Sequence, residues 1–417
     1  MISEKKILVI GAGAAGMMAA ITAAKNNSEV ILFEKNKIVG KKIRITGKGR
    51  CNLTNNCTEQ NFISSIPSNG KFLYSAINEF TPQDTMNFFK DNNLELKVER
   101  GNRVFPVSDN ATDVAETLKK VLNSSNCKII NQQVKKLLIE DSVCKGVETD
   151  SGEKFLSDAT IIATGGLSYP GTGSTGDGYK FAKQAGHTLN ELIPSLVPLI
   201  SNQKFCKKLQ GLSLKNVGIQ VLDKIKEKII YKDFGEMLFT HFGVSGPIIL
   251  SASSHMKNMM PNRYSIIIDL KPALDEMKLD KRLQRDFEMN INRDFINSLK
   301  DLLPKKLIPV IVGLSKIESN TKCNQITKDM RYNLVKLLKN FTIDIEGFRP
   351  IEEAVVTSGG VSVLEINPKT MESKVVKSLY FAGEVIDVDA YTGGYNLQIA
   401  FSTGVLAGKS ASSKGSV

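Results

Sequence analysis

The sequence predicts an α/β fold: a Rossmann-like nucleotide-binding domain built from both ends of the chain, with a compact β domain and a helical excursion inserted between them. Three observations carry that prediction. Near the N-terminus, "KKILVIGAGAAGMMAAITAAKNNSEVILFEK" reads as strand, glycine turn, helix and strand. Near Ile193 the composition changes to short alternating runs bounded by turns. From Lys377, "KSLYFAGEVIDVDAYTGGYNLQIAFSTGVLAGK" returns to a strand, a glycine turn and a long helix of small residues. A chain of 417 residues can hold two or three domains and a large core.

In the first element, Ile7 to Ile10 form a short buried strand and Gly11, Gly13 and Gly16 follow in GxGxxG spacing. Gly11 permits the tight turn, Gly13 leaves room for a pyrophosphate over the backbone, and Gly16 lets helix and strand pack closely. The helix that follows begins Ala14, Ala15, and offers unpaired N–H groups and a partial positive charge to phosphates. Glu34 closes the second strand 23 residues after Gly11, the interval expected of an acid that accepts ribose hydroxyls. An acid there argues against a 2'-phosphate. The pattern does not separate FAD from NAD, since both present an ADP half.

The remaining elements are expected in order. Residues 1–190 form the first part of the nucleotide-binding domain, with a helical pattern from Phe72 to Asn92. Asp109 or Asn110 caps a helix running to Leu122, and "VKKLLIE" and "CKGVETD" start a hairpin-rich meander. "ATIIATGG" is a buried strand, and Gly171, Gly173, Gly176 and Gly178 crowd a loop before a helix. Residues 191–274 are the first part of the β domain, 275–341 the helical insertion, and 342–363 the return through the β domain. Residues 364–417 complete the nucleotide-binding domain, ending in "SASSKGS", which reads as a frayed tail.

Net charge is +12, spread along the chain without a basic tail or a long Lys/Arg block. Six cysteines occur without a CxxC pair, and no apolar run reaches bilayer-spanning length. These features read as a cytoplasmic protein with reduced thiols. Ligand spacing for a metal is absent, and oligomeric state is left open.

Three segments carry a family likeness: "VIGAGAAGMMAA", "GKKIRITGKGRCNLTN" and "LYFAGEVIDVDAYTGGYNLQIAFSTG". "ATGGLSYPGTGSTGDGY" and "THFGVSGP" add to it. On these, the chain resembles the HI0933-like bacterial flavoproteins, also called BaiN/RdsA-type NAD(P)/FAD-dependent oxidoreductases, over essentially its whole length. The resemblance implies FAD held non-covalently in a two-dinucleotide-fold type domain, and a β-barrel-like inserted domain with a helical excursion. It implies that Gly11, Gly13, Gly16, Glu34 and Lys35 meet the ADP half. Gly40, Lys41, Lys42, Arg44, Gly49, Arg50, Cys51 and Asn52 then lie toward the pyrophosphate, ribityl chain and ring. Val134, Ala163, Thr164, Gly165 and Gly166 belong to the same cofactor set. Gly383, Glu384 and Asp387 sit where related flavoproteins place a glycine and an acid near the ribityl and phosphate groups, with Glu384 where many have Asp. Gly393, Gly394, Tyr395, Asn396, Leu397 and Gln398 pass the pyrimidine edge of the ring.

The activity implied is an FAD-dependent oxidoreductase acting on a small molecule. No second GxGxxG unit is present, so NAD(P)H docks transiently on the flavin face as electron donor, or another reductant serves. Two side chains are candidates for chemistry. His241 in "FTHFGVSGP" is of a residue type suited to proton transfer. Cys51 sits in the basic stretch "KKIRITGKGRCNLTN", where it either tunes the flavin or is packed. The competing class is an RNA-binding or RNA-modifying flavoprotein, which the positive charge fits. Against nucleic acid, no RNA module appears and no aromatics interleave a basic stripe.

Overall fold

The computed structural model describes residues 4–413. They fall into two compact units: one holds the described residues up to Ser195 and from Pro350 onward, the other Leu196–Arg349.

The first unit is organised by a five-stranded parallel sheet, in the order Leu379–Phe381, Ala159–Ile162, Lys6–Ile10, Glu29–Phe33 and Cys127–Ile130. Its central strand is buried on both faces, as its unbroken apolar run requires. The helix Ala14–Lys25 packs against the long helix Tyr395–Ser412 near the C-terminus. Both are rich in small residues because they nearly touch. A Cβ on Gly404 or Gly408 would stand 2.3 or 2.4 Å from the carbonyl oxygens of Ala15 and Ala19. The tail expected at "SASSKGS" is partly this helix, which runs to Ser412; residues 414–417 lie outside the described ones.

The helical stretch expected between Phe72 and Asn92 is divided, with helices at Tyr74–Glu79 and Pro82–Asp91. Pro82 disfavours helical geometry in the residue before it, and Thr81 instead caps the second helix in a reciprocal box with Asp84. Asn110 caps Ala111–Asn123 by accepting from the Thr112 N–H at 3.0 Å. The meander is present as Val134–Glu140, Val143–Thr149 and Lys154–Leu156. Strands Leu189–Ser195 and Val356–Val361 pair antiparallel, with Ser195 opposite Val356.

The second unit is a seven-stranded antiparallel sheet. Its order is Phe341–Ile345, Tyr264–Asp269, Ser213–Asp223, Lys228–Phe239, Gly243–Ser245, Leu199–Ile200 and Gly347–Phe348. The two ends of that order are one continuous stretch of chain, so the sheet curls back on itself in a barrel-like closure. Four helices, Glu276–Met289, Phe295–Ser298, Ile308–Ser315 and Lys328–Lys339, form the excursion between two neighbouring strands.

Candidate functional site

The site lies in the first unit, at the carboxyl ends of four adjacent parallel strands, where open α/β sheets place their ligands. Gly11 ends the central strand with φ +100°, and a Cβ on it would meet the Ala163 carbonyl oxygen at 2.7 Å. Gly16 admits no side chain, because its Cβ would stand 1.8 Å from the Gly11 oxygen. Gly13 differs: nothing lies within 4 Å of the position its Cβ would take. It precedes the first turn of a helix that has no side-chain cap and no acid to neutralise its positive end. Ala14 and Ala15 are buried in that turn.

Glu34 folds back on this turn. Its Oε2 accepts from the Ala12 N–H at 2.9 Å, and its Oε1 from the Asn36 N–H and side-chain amide at 2.8 and 2.7 Å. Lys35 pairs with Asp177 at 2.6 Å, which fastens the second strand to the glycine-rich loop before Asp177–Gln184. Ala163 to Gly166 leave the neighbouring strand beside Gly11, and the Thr164 hydroxyl is buried without a partner. Val134 is buried at the start of the meander. Gly40 donates its N–H to the Ala12 carbonyl at 2.8 Å, bringing the basic stretch to the turn.

Within that stretch the cations have different partners. Lys42 bonds Glu384 at 2.8 Å and Ser168 Oγ at 2.8 Å. Glu384 accepts further from the Thr357 N–H (2.9 Å) and Ser168 Oγ (3.0 Å). Burial pushes its carboxyl up, but Lys42 and these hydrogen bonds hold it below the usual carboxylate range. Gly166 makes this node possible, since a Cβ there would meet Thr357 Oγ1 at 2.5 Å and Glu384 Oε1 at 3.0 Å. Arg44 and Arg50, expected toward the cofactor, each pair with carboxylates. Arg44 bonds Glu116 at 2.7 Å. Arg50 bonds Asp109 at 2.6 Å and Glu99, and lies over the Phe105 ring. Lys41 is exposed, and Gly49 has open space beside it.

Cys51 is fully buried, and burial pushes its thiol up to about 12. At neutral pH it is a protonated, packed side chain and a poor nucleophile. Asn52 and Asn55 clip this segment to the turn at Gly393 and Gly394. With its amide oriented to satisfy both ends, Asn52 accepts from the Gly394 N–H at 3.1 Å and donates to the Thr54 carbonyl at 3.1 Å. Asn55 donates to the Gly101 and Gly393 carbonyls, each at 3.0 Å. Gly394, at φ +97°, would carry a Cβ 2.3 Å from the Thr54 oxygen, so the contact requires glycine.

Gly383 follows the edge strand of the sheet, and Asp387 accepts from Asn190 and Asn69 at 2.7 and 3.0 Å. Tyr395 sets its ring edge against Phe62, and Asn396 closes on both backbone groups of Ala390. Leu397 is half-buried. Gln398 is fully buried; its amide is held by Thr54, Thr85, Ser402 and the Phe80 carbonyl, so its side chain braces the helix from inside. His241 belongs to the second unit, exposed on the turn between Lys228–Phe239 and Gly243–Ser245. Sequence reasoning missed Ser168, Thr357 and Asn55. Their signals were a polar residue after paired glycines, a threonine before another glycine pair, and the second asparagine of "NLTN".

The residues at the sheet ends fit a dinucleotide. The space at Gly13 and the uncapped helix are features a bound diphosphate satisfies. The fold is shared with a solved dehydrogenase: the chain superposes on 3-ketosteroid delta1-dehydrogenase from Sterolibacterium denitrificans with TM-score 0.54 and 12% identity, covering 98% of this chain and 99% of that one. Fold and sequence likeness together define an FAD-dependent oxidoreductase with a Rossmann-type cofactor domain. Residues 5–410 match the model of the HI0933-like protein Rossmann domain, and the chain belongs to that family. It is 31% identical over 416 residues to the 3-dehydro-bile acid delta(4,6)-reductase of Clostridium scindens, covering 98% of this chain and 99% of the relative. It is also 31% identical over 408 residues to the ribosomal RNA dihydrouridine synthase of Haemophilus influenzae, covering 95% and 96%.

Among the described residues, no helix is long and apolar enough to cross a membrane, and no group of three or more His, Cys, Asp or Glu is placed to hold a metal.

Proposed function

We propose that the protein reduces a carbon–carbon double bond conjugated to a carbonyl in a small molecule, with NAD(P)H as electron donor. One observation carries this reading: near end-to-end likeness, at 31% each, to two enzymes whose names describe the same kind of change. A delta(4,6) reduction of a 3-dehydro steroid saturates a bond in conjugation with a ketone. Dihydrouridine differs from uridine by saturation of the ring bond conjugated to a carbonyl. FAD, when bound, supplies hydride-transfer chemistry of that kind.

The chain's own residues divide the remaining work. The turn from Gly11 to Gly16 and the helix behind it bind the diphosphate, and Glu34 takes the ribose. The Lys42–Glu384 node and the Asn52–Gly394 clip fix the two loops that approach the ribityl chain and ring. Gly383, Asp387 and the turn at Gly393 line the same end. His241 is the proposed proton donor; its test is His241→Gln, which should slow reoxidation of the reduced flavin by the acceptor while leaving flavin reduction by nicotinamide unchanged if the histidine supplies the proton. A small molecule is favoured because the cofactor unit is nearly neutral, with 29 basic and 27 acidic residues, net +2. The six free cysteines accord with a cytoplasmic setting.

A second reading, reduction of a base in RNA, is favoured by the ribosomal RNA relative and by the charge of the second unit. That unit has 26 basic and 16 acidic residues, net +10. The experiment is anaerobic reduction of the holoprotein by NADH and by NADPH, followed by a steroid dienone, uridine or ribosomal RNA as acceptor. The reading expects one nucleotide to bleach the flavin and the dienone to restore its colour. Recovery only with RNA would replace the first reading by the second. Failure of both nucleotides would remove the donor.

A further inference from the structure

The second unit carries a cluster of cations that the flavin site does not use. The helix Lys204–Lys208 has the sequence KFCKK. Its apolar side is anchored: Cys206 is buried, and the Phe205 ring packs on Phe341 with centroids 5.1 Å apart. Lys204, Lys207 and Lys208 are therefore presented to solvent. Beside them stands the turn from Pro304 to Lys306, tied to the helix end by the Lys306 ammonium and the Gln210 carbonyl. Lys208, Lys305 and Lys306 line one open hollow of about 510 Å³ together with Pro309 and Val310, and no acidic residue lines it.

Several cations elsewhere in this unit are matched. Lys224 pairs with Asp344, Arg263 with Asp223, Arg282 with Asp286, Arg331 with Asp280 and Lys339 with Asp269. Among the described residues, none of the three lysines lining the hollow, nor Lys204 and Lys207 on the adjoining helix, is paired with a carboxylate. Lys305 and Lys306 also immediately precede the helix Ile308–Ser315, whose first turn holds no acid. Cations at a helix N-terminus oppose its dipole, so intramolecular electrostatics give no reason for this arrangement. An anion placed in the hollow would meet both the ammonium groups and the helix end favourably.

We propose that this hollow docks the phosphate backbone of a structured RNA. The inference deepens the RNA reading given above and rests on it. Phosphate is the group recognised, because no large exposed aromatic or aliphatic side chain stands among the five lysines to stack on a base or enter a lipid layer. The site supplies position and affinity without reading base sequence.

The test uses the FAD-loaded full chain and a fluorescently labelled RNA hairpin titrated over a range of salt. The variant K204Q/K207Q/K208Q/K305Q/K306Q is compared with K71Q/K90Q/K119Q/K128Q/K145Q, which removes the same charge from the other unit. Flavin content and flavin bleaching by nicotinamide should match wild type in both. The hollow variant should bind at least about tenfold more weakly at 0.1 M salt, with a log–log salt slope shallower by about 2 to 4. The control should keep most of the wild-type slope. Equal loss in both variants, or in neither, overturns the hollow while leaving RNA binding by the protein intact. A wild-type protein that ignores RNA at low salt overturns the RNA reading and the hollow together. Capture by phosphatidylserine vesicles or polyglutamate in preference to RNA also overturns the proposal.

Discussion

Gly13→Ala separates cofactor binding from folding. The native residue has φ −84° and ψ −169°, which alanine adopts without strain, and its Cβ would meet nothing within 4 Å. In the apoprotein, Ala at the N-cap costs about 0.5–1 kcal/mol relative to Gly. Reduced freedom of the unfolded chain returns about 0.4–1 kcal/mol. Apoprotein stability should therefore change by less than about 1 kcal/mol. The holoprotein should behave differently, since the methyl group enters the space assigned to the diphosphate. Where FAD at 100 times its Kd stabilises wild type by about 2.7 kcal/mol, a hundredfold loss of affinity leaves about 0.4 kcal/mol. Thermal unfolding with and without FAD, beside a flavin-fluorescence titration, reads both quantities. Gly16→Ala is the contrast: its Cβ lies 1.8 Å from a carbonyl oxygen, so the apoprotein itself should lose about 3 kcal/mol. Unchanged FAD affinity in Gly13→Ala would refute the placement of the diphosphate. So would apoprotein damage as large as that of Gly16→Ala.

Three further outcomes are expected. Lys42→Met leaves the half-buried Glu384 without its cation and should cost about 1–3 kcal/mol at pH 7, part of it recovered in the double variant with Glu384→Gln. The folded-state pKa of Glu384 is depressed, so this stability is present above 4.5 and lost as pH falls; the gap between wild type and Lys42→Met in thermal unfolding should narrow in acid. His187 is buried between Glu365 (3.1 Å) and Ser373 (2.7 Å); burial lowers its pKa below 6.5 despite the opposing pull of Glu365. The unfolded chain then takes up the proton first, so stability should fall as pH drops below 6.5, and His187→Gln should flatten that part of a melting-temperature profile. A pH-independent difference between the two proteins would sink the assignment. Cys51 should react with iodoacetamide at pH 8 about a thousandfold more slowly than an unfolded thiol, and Cys51→Ser should keep the wild-type rate of flavin reduction.

The parts of the site legible in the sequence are those whose chemistry is local. Gly11, Gly13, Gly16 and Glu34 act within one strand–helix–strand unit, and spacing alone reveals their roles. Arg44 and Arg50 were not legible, because their carboxylate partners lie 72, 49 and 59 positions away. A cation beside a dinucleotide motif looks the same in sequence whether it faces a phosphate or a glutamate. Gln398 stands in the first turn of the helix after the glycine pair, yet it is oriented by Thr54 and Thr85 from other segments. Cys51 turned on burial, which follows from tertiary packing and leaves no local trace. The barrel-like closure of the second unit was expected only through the family resemblance, since no local pattern shows Leu199 pairing with Phe348 across nearly the whole unit.

The packing of Ala15 against Gly404 also has a consequence for how the protein is made. These residues are 389 positions apart, and the edge strand Leu379–Phe381 must join a sheet whose other members precede residue 163. During synthesis, the glycine turn emerges early but cannot gain its neighbouring helix until the chain has passed residue 404. The inserted unit, whose strands lie between Leu199 and Phe348, can assemble meanwhile. The cofactor pocket is thus begun by elements translated before the inserted unit and closed by elements translated after it, so a ribosome stalled anywhere in the inserted unit leaves a chain with the nucleotide motif exposed and no completed place for flavin.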